Sequence, residues 1–213
     1  MAQVKICGVT TVAAVKAVAD AGADFVGFVF YPRSPRHISP NQAQELVTNL
    51  SKEVKTVAVC VDITDDELDV MLAHFKPHYL QLHGKESLER VQAIKQKYGI
   101  QVIKAIAVRN GDDIARGMAY EKIADMLLFD AKAPETMSSA LPGGNGLIFD
   151  WNLLKDRVFT VPWILSGGLN AENVKEAVAL SGAGIVDVSS SVEVRPGIKD
   201  IKLIQEFIRA AKS

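Results

Sequence analysis

Strand-like and helix-like segments alternate along the whole chain, and this repetition constrains the fold more than any other feature. Each predicted strand is a short, largely apolar run, and a capping residue with an amphipathic helix follows most of them. The eight predicted strands are Ala2–Cys7, Asp24–Tyr31, Lys55–Asp62, His78–His83, Gln101–Val108, Asp125–Asp130, Val161–Ser166 and Gly184–Ser189. Because no linker-like stretch divides these units, we expect one α/β domain over residues 1–213, a single closed (β/α)8 TIM barrel.

Side-chain alternation within the strands favours this barrel over an open, doubly wound sheet. In the first strand, Val4 and Ile6 share one face, whereas Lys5 and Cys7 share the other. An open sheet covered by helices prefers apolar residues on both faces, but a barrel accepts polar side chains in its interior. Aliphatic residues are therefore expected to face the helices. In the third strand this rule turns Val57, Val59 and Val61 outward and Ala58, Cys60 and Asp62 inward.

Charge and cysteine content exclude several classes of protein. The chain has 24 basic and 25 acidic residues, so nothing favours a nucleic-acid or acidic-membrane partner. The sequence shows no signal-peptide pattern and no apolar run of the roughly 20 residues that span a bilayer. The two cysteines, Cys7 and Cys60, form no C-x-x-C motif, which indicates neither a disulfide framework nor a zinc site. We expect a cytoplasmic protein without a metal, and the sequence leaves monomer and homodimer open.

Cys7 and Asp130 are the candidate catalytic residues. Each ends a predicted strand, and barrels of this kind carry their active sites at the carboxyl ends of the strands. A thiol with an ordinary pKa of about 8.5 can act as a base, and a carboxylic acid in apolar surroundings can act as an acid. Plain structural roles are also open, since free cysteines are often buried and a strand-end aspartate can bind loop amides. Together, however, an acid and a base in one cavity suit an isomerisation.

Small residues after the seventh and eighth predicted strands indicate a phosphate site. In many such barrels the backbone N–H groups of these two loops bind phosphate. A glycine cluster before the seventh strand is expected to close over the same place, because glycine lets the backbone approach an anion. The phosphate-binding candidates are Gly144, Gly146, Gly168, Ser189 and Ser190. A phosphorylated small molecule is therefore the expected ligand, although tight turns would also explain the glycines.

Four further polar residues are candidates for substrate binding. Arg36 lies in a cationic loop after the second strand and can bind a carboxylate or phosphate through two parallel hydrogen bonds. Gln81 and His83 end the fourth strand and can bind substrate oxygens, and the alternative for His83 is a strand-end histidine that bonds only to its neighbours. Lys5 faces inward with Cys7, and we hypothesise that its charge stabilises the thiolate.

Six motifs, in order through the whole chain, resemble the phosphoribosylanthranilate isomerase family of tryptophan biosynthesis. No single motif is specific, but the combination is. The motifs are Lys5-Ile6-Cys7-Gly8-Val9-Thr10, Gly27-Phe28-Val29-Phe30-Tyr31-Pro32 with Ser34, Arg36 and Ile38-Ser39, Leu80-Gln81-Leu82-His83-Gly84, Gly143-Gly144-Asn145-Gly146 with Phe149-Asp150-Trp151, Ser166-Gly167-Gly168-Leu169-Asn170, and Asp187-Val188-Ser189-Ser190 with Val192-Glu193 and Pro196-Gly197.

The resemblance implies an Amadori rearrangement of N-(5-phosphoribosyl)anthranilate to 1-(2-carboxyphenylamino)-1-deoxyribulose 5-phosphate, without metal or organic cofactor. On the matching positions, Asp130 would protonate the furanose ring oxygen, and Cys7 would remove the proton from C2 of the sugar. Arg36 would hold the anthranilate carboxylate, and the last loops the phosphate. Two departures stand out. Ser191 replaces the glycine usual in the family, and the segment Ala131–Pro142 is longer than expected, which makes the loop Ala131–Leu147 a candidate lid.

Two other classes of function remain open. Lys104, placed inward on the fifth strand by alternation, could form a Schiff base in a phosphosugar lyase or aldolase. Alternatively, the chain could be a non-catalytic module that binds a phosphorylated ligand, in which case Cys7 would have no essential role.

Overall fold

Eight parallel strands form a closed barrel in chain order in the computed structural model, which describes residues 1–48, 50–134 and 143–213. The strands are β1 Gln3–Cys7, β2 Phe25–Val29, β3 Lys55–Cys60, β4 Tyr79–Leu82, β5 Gln101–Val108, β6 Met126–Ala131, β7 Trp163–Leu165 and β8 Ile185–Val188. Pairing between β1 and β8 closes the ring. The predicted TIM barrel is confirmed, and the open sheet is wrong. Each observed strand overlaps its predicted segment.

Helices surround the barrel. They are α1 Val12–Asp20, α2 Pro40–Val47, α3 Asp65–His74, α4 Leu88–Tyr98, α5 Gly111–Gly117, α6 Val174–Ser181 and α7 Ile201–Lys212, with short 3-10 helices at Met118–Lys122, Trp151–Leu154 and Ser190–Val192. A hairpin of β9 Glu193–Arg195 and β10 Ile198–Lys199 separates β8 from α7. Within the described residues, no helix is long and apolar enough to cross a membrane.

Local capping chemistry sets where several helices begin. Ser39 and Thr64 form the predicted capping boxes at α2 and α3, and Thr11 accepts a hydrogen bond from Ala14 N at the start of α1. Each cap satisfies N–H groups that have no partner within the helix. Asn170 caps the turn before α6, where its side chain accepts hydrogen bonds from Glu172 N and Asn173 N, and α6 itself begins at Val174.

The predicted orientation of β3 is wrong. Val57 and Val59 pack inside the barrel with Cys7, whereas Cys60 belongs to the core between the strands and the helices. Register explains this, because Cys7 pairs with Gly27 and Gly27 pairs with Val57. Paired residues of neighbouring parallel strands point to the same face. Val57 therefore points into the barrel, as Cys7 does.

Asp62 was expected in the barrel interior with Cys60, but its carboxylate instead accepts a hydrogen bond from a backbone N–H group. It lies just beyond β3 with a φ of 48°, and its Oδ1 accepts a hydrogen bond of 2.6 Å from Lys85 N. The carboxylate therefore ties the loop after β3 to the loop after β4 and is not part of the barrel interior.

Lys104 points away from the barrel interior, which corrects its predicted orientation. Lys104 pairs with Leu82 on β4, and both face the surrounding helices, whereas Ile103 faces the interior. The Lys104 ammonium lies 2.7 Å from Glu86 Oε2 and donates to Leu82 O and Gly84 O. A buried ammonium that is fully engaged on the outer face cannot reach a ligand at the barrel mouth, so this lysine does not support a Schiff-base mechanism.

We expect Lys104→Met to destabilise the fold by about 3 kcal/mol or more, because it leaves the Glu86 carboxylate buried without its cation. Urea denaturation followed by circular dichroism measures this loss. The double variant Lys104→Met/Glu86→Gln removes both charges and should recover most of the stability. Equal stability of the single variant and the wild type would contradict the assignment of this pair.

Candidate active site

The predicted site residues meet at one cleft, at the carboxyl ends of the strands. This cleft holds about 770 Å³ of empty space, part of it open to solvent. Nine of the eleven candidates line it: Cys7, Arg36, His83, Asp130, Gly144, Gly146, Gly168, Ser189 and Ser190. The other two, Lys5 and Gln81, are fully buried and are not part of the lining. The cleft thus combines the candidate acid, the candidate base and both candidate anion sites.

Cys7 lies at the end of β1 above a buried ion pair. Lys5 Nζ is 2.8 Å from Asp187 Oδ1, and Ser166 Oγ donates to the other oxygen of this carboxylate at 3.1 Å. Burial by itself would lower the pKa of Lys5, but Asp187 and Cys7 together outweigh burial, and the net shift of this pKa is upward. Lys5 is therefore a fixed positive charge beneath the thiol. Asp187 and Ser166 were not predicted as site residues, although the inward position of Asp187 on β8 was a usable signal.

Gly27 on β2 makes room for the thiol and the ammonium to approach each other. A Cβ at this position would lie 3.0 Å from Cys7 Sγ and 3.3 Å from Lys5 Nζ. Burial raises the pKa of the Cys7 thiol, and the charges of Lys5 and Lys199 act in the opposite direction. The cleft therefore holds Cys7 mainly as a thiol, with two cations favouring the thiolate when it forms.

We expect Lys5→Met to raise the pKa of Cys7 further, since it removes a charge that lowers this pKa and leaves the Asp187 charge that raises it. Alkylation rates measured against pH report this pKa, in a Cys60→Ala background that leaves one thiol. Lys5→Met/Asp187→Asn removes the unpaired carboxylate and serves as the folded control. A Cys7 pKa unchanged by Lys5→Met would rule out a role for Lys5 at the thiolate.

Asp130 faces the cleft from β6 and is tied to β4 through His83. His83 Nε2 lies 3.3 Å from Asp130 Oδ2, and His83 Nδ1 lies 2.8 Å from Gln81 Nε2. Asp130 Oδ1 accepts a hydrogen bond of 3.0 Å from Ala131 N. Gln81 therefore touches His83 from below and does not reach the cleft. This places Gln81 as a support for His83, whereas the sequence prediction made it a direct contact to substrate.

Arg36 is held in the cleft by a carboxylate that sequence reasoning did not single out. Its Nε and Nη2 lie 2.8 and 2.9 Å from the two carboxylate oxygens of Glu193. Gly144, at a φ of 74°, packs against the guanidinium, and a Cβ there would lie 2.6 Å from Arg36 Nη1. Only glycine combines this backbone conformation with so close an approach. The position of Glu193 in a family motif was the one signal for it.

The loops after β7 and β8, which were predicted to bind phosphate, also line the cleft. Gly167 and Gly168 have φ values of 93° and 61°, a region that favours glycine. Ser189 Oγ donates to Cys7 O at 3.1 Å, which ties this loop to the end of β1. Non-glycine residues with positive φ in the described part of the chain are Asp62 and Asp156. Ser191 therefore needs no glycine conformation, and the departure from the family pattern is accommodated.

Part of the candidate lid, residues 135–142, lies outside the described residues. Of this loop, Ala131 and Gly143–Leu147 line the cleft. A lid function therefore stays a prediction.

Comparison with known proteins gives a consistent result over the whole chain. Residues 4–210 match the family model of N-(5'-phosphoribosyl)anthranilate isomerase. A relative of that name from Parvibaculum lavamentivorans is 50% identical over 99% of this chain and 98% of its own length. The crystal structure of phosphoribosyl anthranilate isomerase from Thermotoga maritima is 39% identical, with a TM-score of 0.88 over 100% of this chain and 99% of its own.

A further solved structure contains a ligand. It is a phosphoribosyl anthranilate isomerase in complex with reduced 1-(o-carboxyphenylamino)-1-deoxyribulose 5-phosphate. It is 37% identical to this chain, with a TM-score of 0.84, and the alignment covers 100% of this chain and 99% of that one. On the family match and these relatives, the chain belongs to the N-(5'-phosphoribosyl)anthranilate isomerase family.

Proposed function

We propose that this chain isomerises N-(5'-phosphoribosyl)anthranilate to 1-(2-carboxyphenylamino)-1-deoxyribulose 5-phosphate in tryptophan biosynthesis. Family membership over residues 4–210 supports the reaction. The observation that carries the mechanism is the meeting of Cys7 and Asp130 in one cleft that Arg36 also lines. A single domain over residues 1–213 performs the reaction, in the cytoplasm and without metal or organic cofactor.

The first step is ring opening by general acid catalysis. Asp130 gives its proton to the furanose ring oxygen, the bond between this oxygen and C1 breaks, and the anthranilate nitrogen supplies the electron pair that forms the iminium ion. The proton donor must lie at the ring oxygen, and His83 Nε2, 3.3 Å from Asp130 Oδ2, helps to hold the Asp130 carboxyl group in the cleft.

The second step is proton removal by Cys7. The thiolate takes the proton from C2 of the sugar, and the C2 electron pair moves toward the iminium, which becomes neutral as an enolamine. Tautomerisation to the ketone completes the isomerisation. The burial that raises the Cys7 pKa makes the thiolate a stronger base once formed, and the nearby Lys5 charge offsets part of the cost of forming it.

Two separate anion sites orient the substrate. Arg36 binds the anthranilate carboxylate with the part of its guanidinium that Glu193 does not use. Gly144, Gly146, Gly168, Ser189 and Ser190 surround the phosphate. His83 contacts a substrate oxygen near Asp130, with Gln81 behind it. Binding at both ends fixes the sugar between the acid and the base. This orientation lowers the entropic part of the activation barrier.

The decisive test is a fluorescence assay of the purified chain on freshly prepared phosphoribosylanthranilate. Turnover should consume the fluorescent substrate in proportion to enzyme concentration, and chromatography should identify the ketose product. Absence of turnover by the folded wild type would contradict the proposal. The chain acts as a monomer or homodimer, and among the relatives is a structure of monomers generated from the dimeric isomerase of Thermotoga maritima.

A further inference from the structure

Arg36 reaches the cleft with its charge already balanced by a carboxylate. Glu193 accepts hydrogen bonds from Nε and Nη2 in a two-pronged geometry, and both side chains are almost fully buried. A guanidinium paired in this way presents nearly no net charge to an approaching anion. The pairing orients Arg36 well, yet by itself it would weaken the attraction for a carboxylate.

Lys199 supplies a second cation to Glu193, at the same carboxylate oxygen that accepts from Arg36 Nε. Its Nζ lies 2.8 Å from Glu193 Oε1, 2.7 Å from Ser189 O and 3.4 Å from Ser189 Oγ. The Ser189 hydroxyl donates to Cys7 O, so it accepts from Lys199. Three acceptors around one nitrogen are matched by the ammonium form, which has three N–H donors.

The charges of this cluster are mutually supporting. Burial would raise the pKa of Glu193, but Arg36 and Lys199 outweigh burial, so this pKa lies below its usual range. Burial lowers the pKa of Lys199, and the Glu193 carboxylate opposes that effect without cancelling it, so this pKa lies below its usual value. With Arg36, Glu193 and Lys199 all ionised, the cluster carries a net charge of about +1. This charge faces the cleft through Arg36, since the Lys199 side chain is fully buried.

The hairpin after β8 is shaped to hold this cluster in place. Its register shifts between Ile198 and Lys199, and the shift sets Lys199 opposite Glu193. Such bulges re-aim a side chain next to a site. Gly197, at a φ of 86°, packs against Pro35 O in the loop of Arg36, where a Cβ would collide. Thr10 Oγ1 donates to Gly197 O at 3.0 Å. The hairpin therefore braces the loops after β1 and β2 together.

We infer that Lys199 is a positioning residue for the substrate carboxylate: it balances Glu193, so that Glu193 orients Arg36 without cancelling the charge of Arg36. This rests on the proposed function, in which Arg36 binds the anthranilate carboxylate. Lys199 also touches Ser189, so a role at the phosphate is the competing explanation. A purely structural brace is the other. The three roles predict different effects of removing Lys199: weaker binding of the carboxylate, weaker binding of the phosphate, or lower stability of the fold.

Calorimetry with two ligands separates these roles. One ligand is reduced 1-(2-carboxyphenylamino)-1-deoxyribulose 5-phosphate, and the other is the same molecule without its carboxylate. Lys199→Met should weaken binding of the first ligand by about 10- to 100-fold, as expected for a unit charge ~6 to 12 Å away at an effective dielectric constant of ~20. It should leave the second nearly unchanged. Lys202→Met, the same substitution at an exposed lysine of α7, should alter neither affinity.

A second variant tests the sign of the charge effect. Adding Glu193→Gln to Lys199→Met removes the uncompensated carboxylate, and the preference for the carboxylated ligand should return toward the wild-type value. Equal weakening of both ligands by Lys199→Met, or a further loss of preference in the double variant, would overturn the inference. If Lys199→Met does not fold, Lys199→Gln, which also removes the charge but keeps a hydrogen-bond donor, is measured in its place, and the same loss of preference for the carboxylated ligand is expected. Failure of the wild type to bind the carboxylated ligand would instead overturn the proposed function, and the inference with it.

Discussion

Cys7→Ala is expected to lower kcat by about 10²- to 10⁴-fold, the usual contribution of a general base, while the barrel still folds. The thiol is the group at the end of β1 that faces the cleft, and alanine cannot accept the C2 proton. Steady-state turnover of phosphoribosylanthranilate measures the loss. Circular dichroism and binding of the reduced product analogue confirm that the fold and both anion sites remain.

Cys60→Ala is the matched control for this prediction. Cys60 is also a buried thiol at the end of a strand, but it packs on the helix side of β3. Burial raises its pKa strongly, and it has no access to the cleft. This variant should keep wild-type turnover and lose only some stability. Undiminished activity of Cys7→Ala would refute the base assignment and favour a non-catalytic role for the thiol.

Asp130→Asn should also reduce kcat by about 10²- to 10⁴-fold, because an amide cannot give a proton to the ring oxygen. Asparagine has nearly the same shape, and its oxygen can still accept from Ala131 N, as Asp130 Oδ1 does. KM should therefore change little, the pattern of an interaction made only in the transition state. Measuring kcat and KM separately gives the result.

Asp125→Asn controls for the loss of a carboxylate from the same strand region. Asp125 lies just before β6, at the opposite end of the barrel, where it accepts from Val102 N and pairs with Lys95. Since function in these barrels lies at the carboxyl ends and stability at the other, this variant should lower the melting temperature and spare turnover. Equal kcat for Asp130→Asn and the wild type would refute the acid assignment.

The orientation of a strand could be predicted best from the sequence where one face of the strand is apolar and the other is polar. In β1, Lys5 and Cys7 alternate with Val4 and Ile6, and the structure confirms the predicted faces. β3 has no such contrast, because small apolar residues occupy both faces. Its orientation follows only from pairing with Gly27 on β2, a contact between strands that no single segment encodes.

For the same reason, local sequence patterns could not predict ion pairs between segments that lie far apart in the chain. Lys104 looked inward on β5, but Glu86 from the loop after β4 holds it on the outside. Arg36 was predicted as an anion ligand, but Glu193, 157 residues away in the chain, decides which part of its guanidinium is available. Buried charges are stable only with partners, and those partners are brought together by the closed barrel.

The barrel and the two catalytic candidates could be predicted from local sequence patterns. Eight repeated units, each with its own hydrophobic periodicity and capping residues, encode the architecture locally, and Cys7 and Asp130 stand at strand ends that periodicity alone locates. The tertiary structure decided the electrostatics of the site. The Lys5–Asp187 pair beneath the thiol and the Arg36–Glu193–Lys199 cluster join opposite ends of the chain. Such pairs depend on distances of a few ångströms between strands and loops, which only closure of the barrel fixes.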